Sequence, residues 1–346
     1  MYGIVTKYGT DGLIVSTVLS GAVLFLMGLL KWGTLIRFVP VAIVIGFTNG
    51  IAVLIALSQV KDVLGLKIAK LPSDFFPKMA SLVRHMNTAD ATTMAVSTAS
   101  LVIVFGWPAL AQKSGSTLMQ RIPGSVLALM AGTAAVSVMQ LPVETIGTRF
   151  GGIPSALPGL TVPKIDLDLV RKLILPTITL ALLGAVESLL CARVADGLIG
   201  DRHDPNQELI AQGIANIAAP LFGGYCATGT IARTVTNIRM GGKTPVVGVI
   251  HAMTLLVIVS VAAPLAKNVP LASLGAILLF VAHNMGEWHE FVRLRHFTNN
   301  YRIILLTTFV LTIVLDLTIA VEVGVGLAFL FFVTRIASLT RLGAGG

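Results

Sequence analysis

Residues 187–240 read ESLLCARVADGLIGDRHDPNQELIAQGIANIAAPLFGGYCATGTIARTVTNIRM. The apolar runs on both sides of this stretch are built for a bilayer. Inside it sit Glu187, Arg193, Asp196 and Arg233, with a loose Gly/Thr run, Ala227-Thr228-Gly229-Thr230-Ile231-Ala232. Polar groups at membrane depth are expensive and normally face a water-filled path. Short hydrophobic segments interrupted by glycine point to the binding site of a transporter. The stretch therefore predicts an all-α integral membrane protein that moves a small solute.

Composition agrees. Of 346 residues, 55% are hydrophobic and only 12% are charged, against about 25% charged in soluble domains. Mean hydropathy is +0.88. A chain this apolar has too little polar surface to dissolve, so its first partner is the lipid bilayer. The net charge of +9 fits Lys and Arg collecting in the loops of a bacterial inner-membrane protein. No basic run interleaved with aromatics points to nucleic acid. Cys191 and Cys226 lack a CxxC partner or a histidine cluster and read as packing residues. At Met1 no basic stretch precedes an apolar core, so no cleavable signal is visible.

A spanning helix needs about 20 mostly apolar residues. On that basis the spans are 12–30, 39–60, 92–110, 124–141, 173–200, 209–222, 245–265, 271–285, 303–317 and 319–336. Residues 228–240 form a further element, too short to cross about 30 Å as a helix. That makes about eleven membrane elements. Gly46 and Gly50 are spaced to let helices approach closely. In 75–86, Phe75, Phe76, Met79, Leu82 and Val83 share a helical face, which predicts an interfacial helix. Residues 141–168, rich in Pro and Gly, predict an extended external loop. Lys31/Arg37, Lys113/Arg121, Arg202, Arg239/Lys243, Arg293/Arg295/Arg302 and Arg335/Arg341 alternate as cytoplasmic loops would, which leaves the C-terminus inside. The loops 61–84 and 149–172 are also basic and spoil a clean count.

Residues 223–230 (GGYCATGT) are unsuited to a helix in lipid, and backbone there must be satisfied by protein or by water in a cavity. From about Thr230 a helix can run to Met240. Its first N–H groups lack intrahelical partners and its dipole end is positive, which makes an anion site of backbone. Thr228 and Thr230 can add hydroxyl donors, and Arg233 adds a full charge one turn in. A re-entrant kink needed only for packing is the competing reading. Glu187 lies mid-span, where a charge costs on the order of 3 kcal/mol to insert. It can hold a coupling cation, take up a coupling proton or pair with Arg233. Ser188 and Cys191 are further candidates, Cys191 lying one turn beyond Glu187 on the same face.

Arg193 and Asp196 fall near the cytoplasmic end and suit gate or loop pairing. His203-Asp204-Pro205-Asn206-Gln207-Glu208 reads as a turn with Asp204 or Asn206 as N-cap. His251 and His283 read as satisfied core histidines, and Asp316 and Glu322 as capping or pairing residues at the last hairpin. His289-Glu290 is not followed by the second histidine of a metal motif, and GxSxG and the P-loop are both absent. The chain is therefore read as a non-enzyme with no catalytic residue, metal or cofactor, save a possible coupling H+ or Na+.

The runs Glu187-Ser-Leu-Leu, Ala195-Asp-Gly, Gly200-Asp-Arg-His-Asp-Pro-Asn-Gln-Glu-Leu, Gln212-Gly-Ile-Ala-Asn, Leu221-Phe-Gly-Gly, Ala227-Thr-Gly-Thr-Ile-Ala-Arg-Thr and Asn237 resemble the SulP family of sulfate permeases and related anion transporters. Leu35-Ile-Arg-Phe-Val-Pro, Gly46-Phe-Thr-Asn-Gly-Ile and Pro270-Leu-Ala-Ser-Leu carry the same resemblance, which covers essentially the whole chain. It implies fourteen membrane elements in two inverted repeats of seven, like the uracil transporters, with a core domain moving against a gate domain. About eleven of the fourteen are expected here, with 12–141 the remainder of the first repeat and 173–336 the second. Met1–Gly9 resembles the tail of the third element's half-helix, so roughly the first three elements and the cytoplasmic STAS domain are expected to lie outside the sequence.

The resemblance implies an anion held between two half-helices whose N-termini face each other. Gly229, Thr230 and Ile231 fall on the backbone positions of the tenth element that bind it, and Arg233 on that helix's arginine. Glu187 falls on the acidic position of the eighth element, linked to cation or proton coupling. Cys191 stands where some members place a threonine. The expectation is secondary active transport of an inorganic anion by alternating access, sulfate first and bicarbonate, chloride or a dicarboxylate as alternatives, in a homodimer. A fragment needing the missing elements and an anion channel are the competing readings.

Overall fold

The structure is a computed structural model that describes residues 1–34, 40–152, 159–160, 162–163, 166–315 and 317–343. Its helices are α1 (Tyr2–Leu29), α2 (Val41–Leu64), α3 (Phe75–Arg84), α4 (Ala91–Ser114), α5 (Thr117–Arg121), α6 (Gly124–Met139), α7 (Ile146–Phe150) and α8 (Leu167–Ile199). There follow α9 (Pro205–Leu221), α10 (Ile231–Arg239), α11 (Val246–Ala266), α12 (Leu271–Met285), α13 (Trp288–Val292), α14 (Asn299–Val314) and α15 (Leu317–Gly343). The fold is all-α. Among the described residues five helices are long and apolar enough to cross a membrane: α1 from Lys7, α2, α4, α8 and α11. Each expected membrane segment has a helix.

Several boundaries moved. The α8 helix starts at Leu167 rather than 173, because its first turns carry Asp168, Arg171 and Lys172, which hydropathy discounts but a helix accepts. The stretch 141–168 is not wholly extended. A capping box at Thr145 and Thr148 starts the short α7, and Thr145 bridges Pro270 antiparallel. The expected interfacial helix forms as α3, but its apolar face divides. Leu82 packs with Leu66 and Ile68, while Phe76 and Val83 are each 65% exposed. Asp316, Arg37 and the rest of 35–39 lie outside the described residues. Glu322 lies inside α15 rather than at a hairpin end. His251 and His283 are exposed, not core, since α11 and the outer face of α12 turn away from the packed interior.

Two compact units divide the chain, and neither is continuous in sequence. One comprises 1–39 and 156–254, the other 40–155 and 255–346. In the first, Leu24, Met27, Ala181, Ala185, Leu189 and Leu209 bring α1, α8 and α9 onto one core. The α1–α9 contact is backbone against backbone: a Cβ on Gly213 would lie 2.6 Å from the Phe25 nitrogen and 2.7 Å from the Gly21 carbonyl oxygen. In the second unit, Gly46 and Gly50 let α2 lie on α14, where added Cβ atoms would stand 2.5 Å from the Leu305 oxygen and 2.7 Å from Thr312. Buried Asn49 links α2 to the chain after α12, accepting from the Glu287 N–H at 2.6 Å.

Candidate functional site

The polar stretch folds within the first unit. The helix α9 ends at Leu221 and the chain runs without regular structure from 224 to 230 before α10 starts at Ile231. The Thr230 carbonyl already accepts from Thr234 N at 3.0 Å, so Thr230 closes the first helical turn. At nine residues and 1.5 Å each, α10 covers about 14 Å, less than half of a hydrocarbon core of about 30 Å.

Two helices hold this segment. On the α8 side, the Thr228 hydroxyl donates to the Gly184 carbonyl at 3.1 Å. Gly229 lies against α8 so closely that a Cβ would sit 3.2 Å from Cys191 Cβ and 3.3 Å from Ser188 Cα. One turn into α10, Thr234 Oγ1 meets Cys191 Sγ at 3.0 Å. On the α9 side, Asn216 accepts from the Ala227 N–H at 2.8 Å and donates to the Ala227 oxygen at 2.9 Å. Gln212 donates to the same oxygen. The backbone of Ala227 is thus satisfied without helix, as a segment at membrane depth would require.

The structure gathers Ser188, Cys191, Thr228, Gly229 and Thr230 at the start of α10. Glu187 is half-buried on α8. Ile231 is half-buried, Arg233 is exposed, and the side chain of Ala232 lies outside the described residues. Among the described residues no ion pair reaches Glu187 or Arg233, so the expected alternative that Glu187 pairs with Arg233 has no counterpart. Asp196 accepts from His203 twice, from its N–H at 3.0 Å and its Nδ1 at 2.7 Å. Arg193 is exposed and lines a separate cleft of about 640 Å³ with Thr34, Asp196, Arg202 and His203. Asp204 is the N-cap of α9, accepting from Asn206 N at 2.8 Å and Gln207 N at 3.3 Å.

Sequence reasoning missed three contributors. Glu208 accepts from the Ser188 hydroxyl, and Gln212 and Asn216 clamp Ala227. Their signal was present: residues 208, 212 and 216 are each four apart and so share a helical face. Elsewhere, Glu287, His289 and Glu290 bring possible ligand atoms within 4.8 Å of one another, two of the three being exposed.

An all-α bundle with a short helix starting at an irregular, protein-satisfied segment is the architecture of a membrane transporter. The chain belongs to the Sulfate permease family, whose model matches residues 5–308. It is 41% identical over 344 residues to the putative sulfate transporter YvdB of Bacillus subtilis, covering 99% of this chain and 63% of that protein. It is 32% identical over 316 residues to the bicarbonate transporter BicA of Synechocystis, covering 90% of this chain and 53% of that protein. The chain thus spans about half to under two thirds of these curated relatives. Among solved structures, the transmembrane domain of a cyanobacterium bicarbonate transporter BicA superposes with a TM-score of 0.79 at 28% identity, over 92% of this chain and 79% of that one. Murine Slc26a9, an anion transporter captured in the inward-facing state, shares the fold at TM-score 0.81 and 17% identity, over 94% of this chain and 53% of that one. The named relatives are transporters, not enzymes.

Proposed function

We propose that this chain carries an inorganic anion across the membrane by secondary active, alternating-access transport, with sulfate as the first substrate. The observation that carries the reading is the start of α10, a helix N-terminus placed at an irregular segment and seated on α8 at Gly229. The free N–H groups and positive dipole end of such a terminus favour an anion. The Thr228 hydroxyl is engaged with Gly184, so Gly229, Thr230, Ile231 and Ala232 contribute through backbone, and Thr228 shapes the loop. Arg233 draws anions toward the same end. Glu187, unpaired among the described residues, is the group that takes up a coupling H+ or Na+. Arg193 and Asp196 act at the far end of α8 in gating. The working form is a homodimer in a bacterial inner membrane.

Sulfate leads because the 41% identical relative is named for it. Bicarbonate is the second reading, supported by the 32% identical relative and by the 28% identical superposed structure. Reconstitution into proteoliposomes separates them. Radiolabelled sulfate uptake above empty vesicles, competed weakly by bicarbonate, is the expected result. Uptake of bicarbonate alone would reassign the substrate, and no uptake of either under proton or sodium gradients would remove the reading.

A further inference from the structure

We propose that the polar stripe of α9, Glu208, Gln212 and Asn216, is a brace that positions the N-terminus of α10 for its anion. Gln212 and Asn216 are positioning residues: they touch the loop, not the substrate. The proposal rests on the transport reading and adds a role for a helix outside the α8–α10 pair.

The stripe is built by spacing. At four-residue intervals the three side chains stay on one face of α9. Another face carries Leu209 and Gly213 into the contact with α1, which anchors the helix. The brace face is buried: Gln212 is 9% exposed and Asn216 2%. Buried amides are retained where every polar atom has a partner. Here their partners converge on one residue. Asn216 reads both backbone groups of Ala227, as a neighbouring strand would, and Gln212 adds a second donor to the same oxygen. Asn216 also donates to the Gln212 carbonyl at 2.9 Å, which ties its amide to its own helix. At the other end Glu208 accepts from Ser188, so the same face grips α8 beside Cys191.

The consequence is geometric. Ala227 stands three residues before the Thr230 carbonyl that opens α10. In lipid an unheld loop has no water to satisfy its backbone, so the amides select one loop conformation. With α8 holding Thr228 and Gly229 from the other side, the first N–H groups of α10 are fixed before the anion arrives. A preorganised site binds more tightly because less ordering accompanies binding.

Cys226, half-buried and adjacent to Ala227, supplies a reporter that needs no transport. The reconstituted chain is treated with a small maleimide and the Cys226 peptide is followed by mass spectrometry, with anion uptake measured in parallel. In Asn216→Leu, Cys226 modification should speed up about ten-fold and the KM for sulfate rise about ten-fold, with maximal rate changing less, as the loss of several buried hydrogen bonds implies. Gln212→Leu, which keeps both Asn216 bonds, should show the same pattern more weakly and covers the case in which Asn216→Leu does not fold. Unchanged Cys226 modification in both folded variants would overturn the brace. Faster modification with unchanged KM would overturn its positioning role. If the unaltered chain takes up no anion, the transport reading falls, while the Cys226 rate still decides whether α9 holds the loop.

Discussion

Arg233 carries a full charge near the proposed anion, and charge makes a prediction that separates substrates. Coulomb energy scales with the product of the charges. Replacing Arg233 with Gln should therefore cost sulfate twice the free energy it costs bicarbonate. If bicarbonate affinity falls about five-fold, sulfate affinity falls about twenty-five-fold, because doubling a free energy squares a ratio. Competition curves for both anions on Arg233→Gln vesicles measure it, and equal losses would place Arg233 away from the anion. Asp90, outside the membrane segments, makes a pH prediction. Its carboxylate caps α4, accepting from the Thr93 hydroxyl and N–H, each at 2.7 Å. The Thr93 hydroxyl, then the Thr93 N–H, hold its carboxyl below the usual value. A depressed acid stabilises the fold above its unfolded pKa of about 3.9, and that contribution fades as pH falls through the lower folded value. Asp90→Ala should cost about 1 kcal/mol as a lost N-cap. Its melting-temperature deficit against the unaltered protein should hold at pH 7 and shrink below about pH 4; a deficit independent of pH would argue against the charged cap. The sequence revealed Glu187 and Arg233 because a charge in an apolar run is conspicuous. It showed the spacing of Gln212 and Asn216 but not its use, because an amide on a helix face looks like ordinary surface until its partner is known.

At the scale of helices, hydropathy placed a helix in each expected segment but not its ends. Polar first turns, as in α8, lie beyond the window that an apolar run defines. The α7 turn was invisible for another reason: its stability comes from Thr145, Thr148 and a bridge to Pro270, more than a hundred residues away. Close helix contacts were legible where small residues repeat at four, as at Gly46 and Gly50. They were not legible at Gly213, whose partner Gly21 lies on a distant segment. That contact leaves no room, so Gly213→Val should push α9 off α1. Overpacking of this kind costs about 1–3 kcal/mol. It should lower the melting temperature in detergent while leaving the Asn216–Ala227 bonds in place, so Cys226 modification should rise less than in Asn216→Leu. A melting temperature equal to that of the unaltered protein would show that the helices can part without cost.

For the molecule as a whole, each of the two compact units takes chain from both halves of the sequence. A unit assembled from distant segments is set by packing, which one sequence cannot display. Sidedness, by contrast, is a prediction that counts α6, α8, α9, α11, α12, α14 and α15 as crossings. The loop after α4 carries Lys113 and Arg121; α6 and α8 then cross out and back, which puts Arg202 on the same side. The helix α9 is counted as crossing out and the irregular segment with α10 as returning to Arg239 and Lys243, because extended chain at about 3.3 Å per residue can make up what nine helical residues lack. Two crossings by α11 and α12 reach Arg293, Arg295 and Arg302, and two more by α14 and α15 reach Arg335 and Arg341. On that count these basic clusters are predicted to share a side, which the positive-inside rule predicts to be cytoplasmic. The two basic loops that obscured the count, 61–84 and 149–172, are predicted on the opposite side. Both are long, and Arg149 of the second pairs with Asp62 of the first at 2.7 Å and with Glu144 just ahead of it. Burial works against the Arg149 guanidinium, but the bonds and charges of Asp62 and Glu144 outweigh it and hold its pKa above the usual value. The predicted topology places 115 and the C-terminus inside and 70 outside. Green fluorescent protein fused after 115 or at the C-terminus should glow and alkaline phosphatase there should be silent, with the reverse after 70. Phosphatase activity at the C-terminus would mean that the segment from 224 to 239 does not complete a crossing, and the start of α10 would then lose its place at membrane depth.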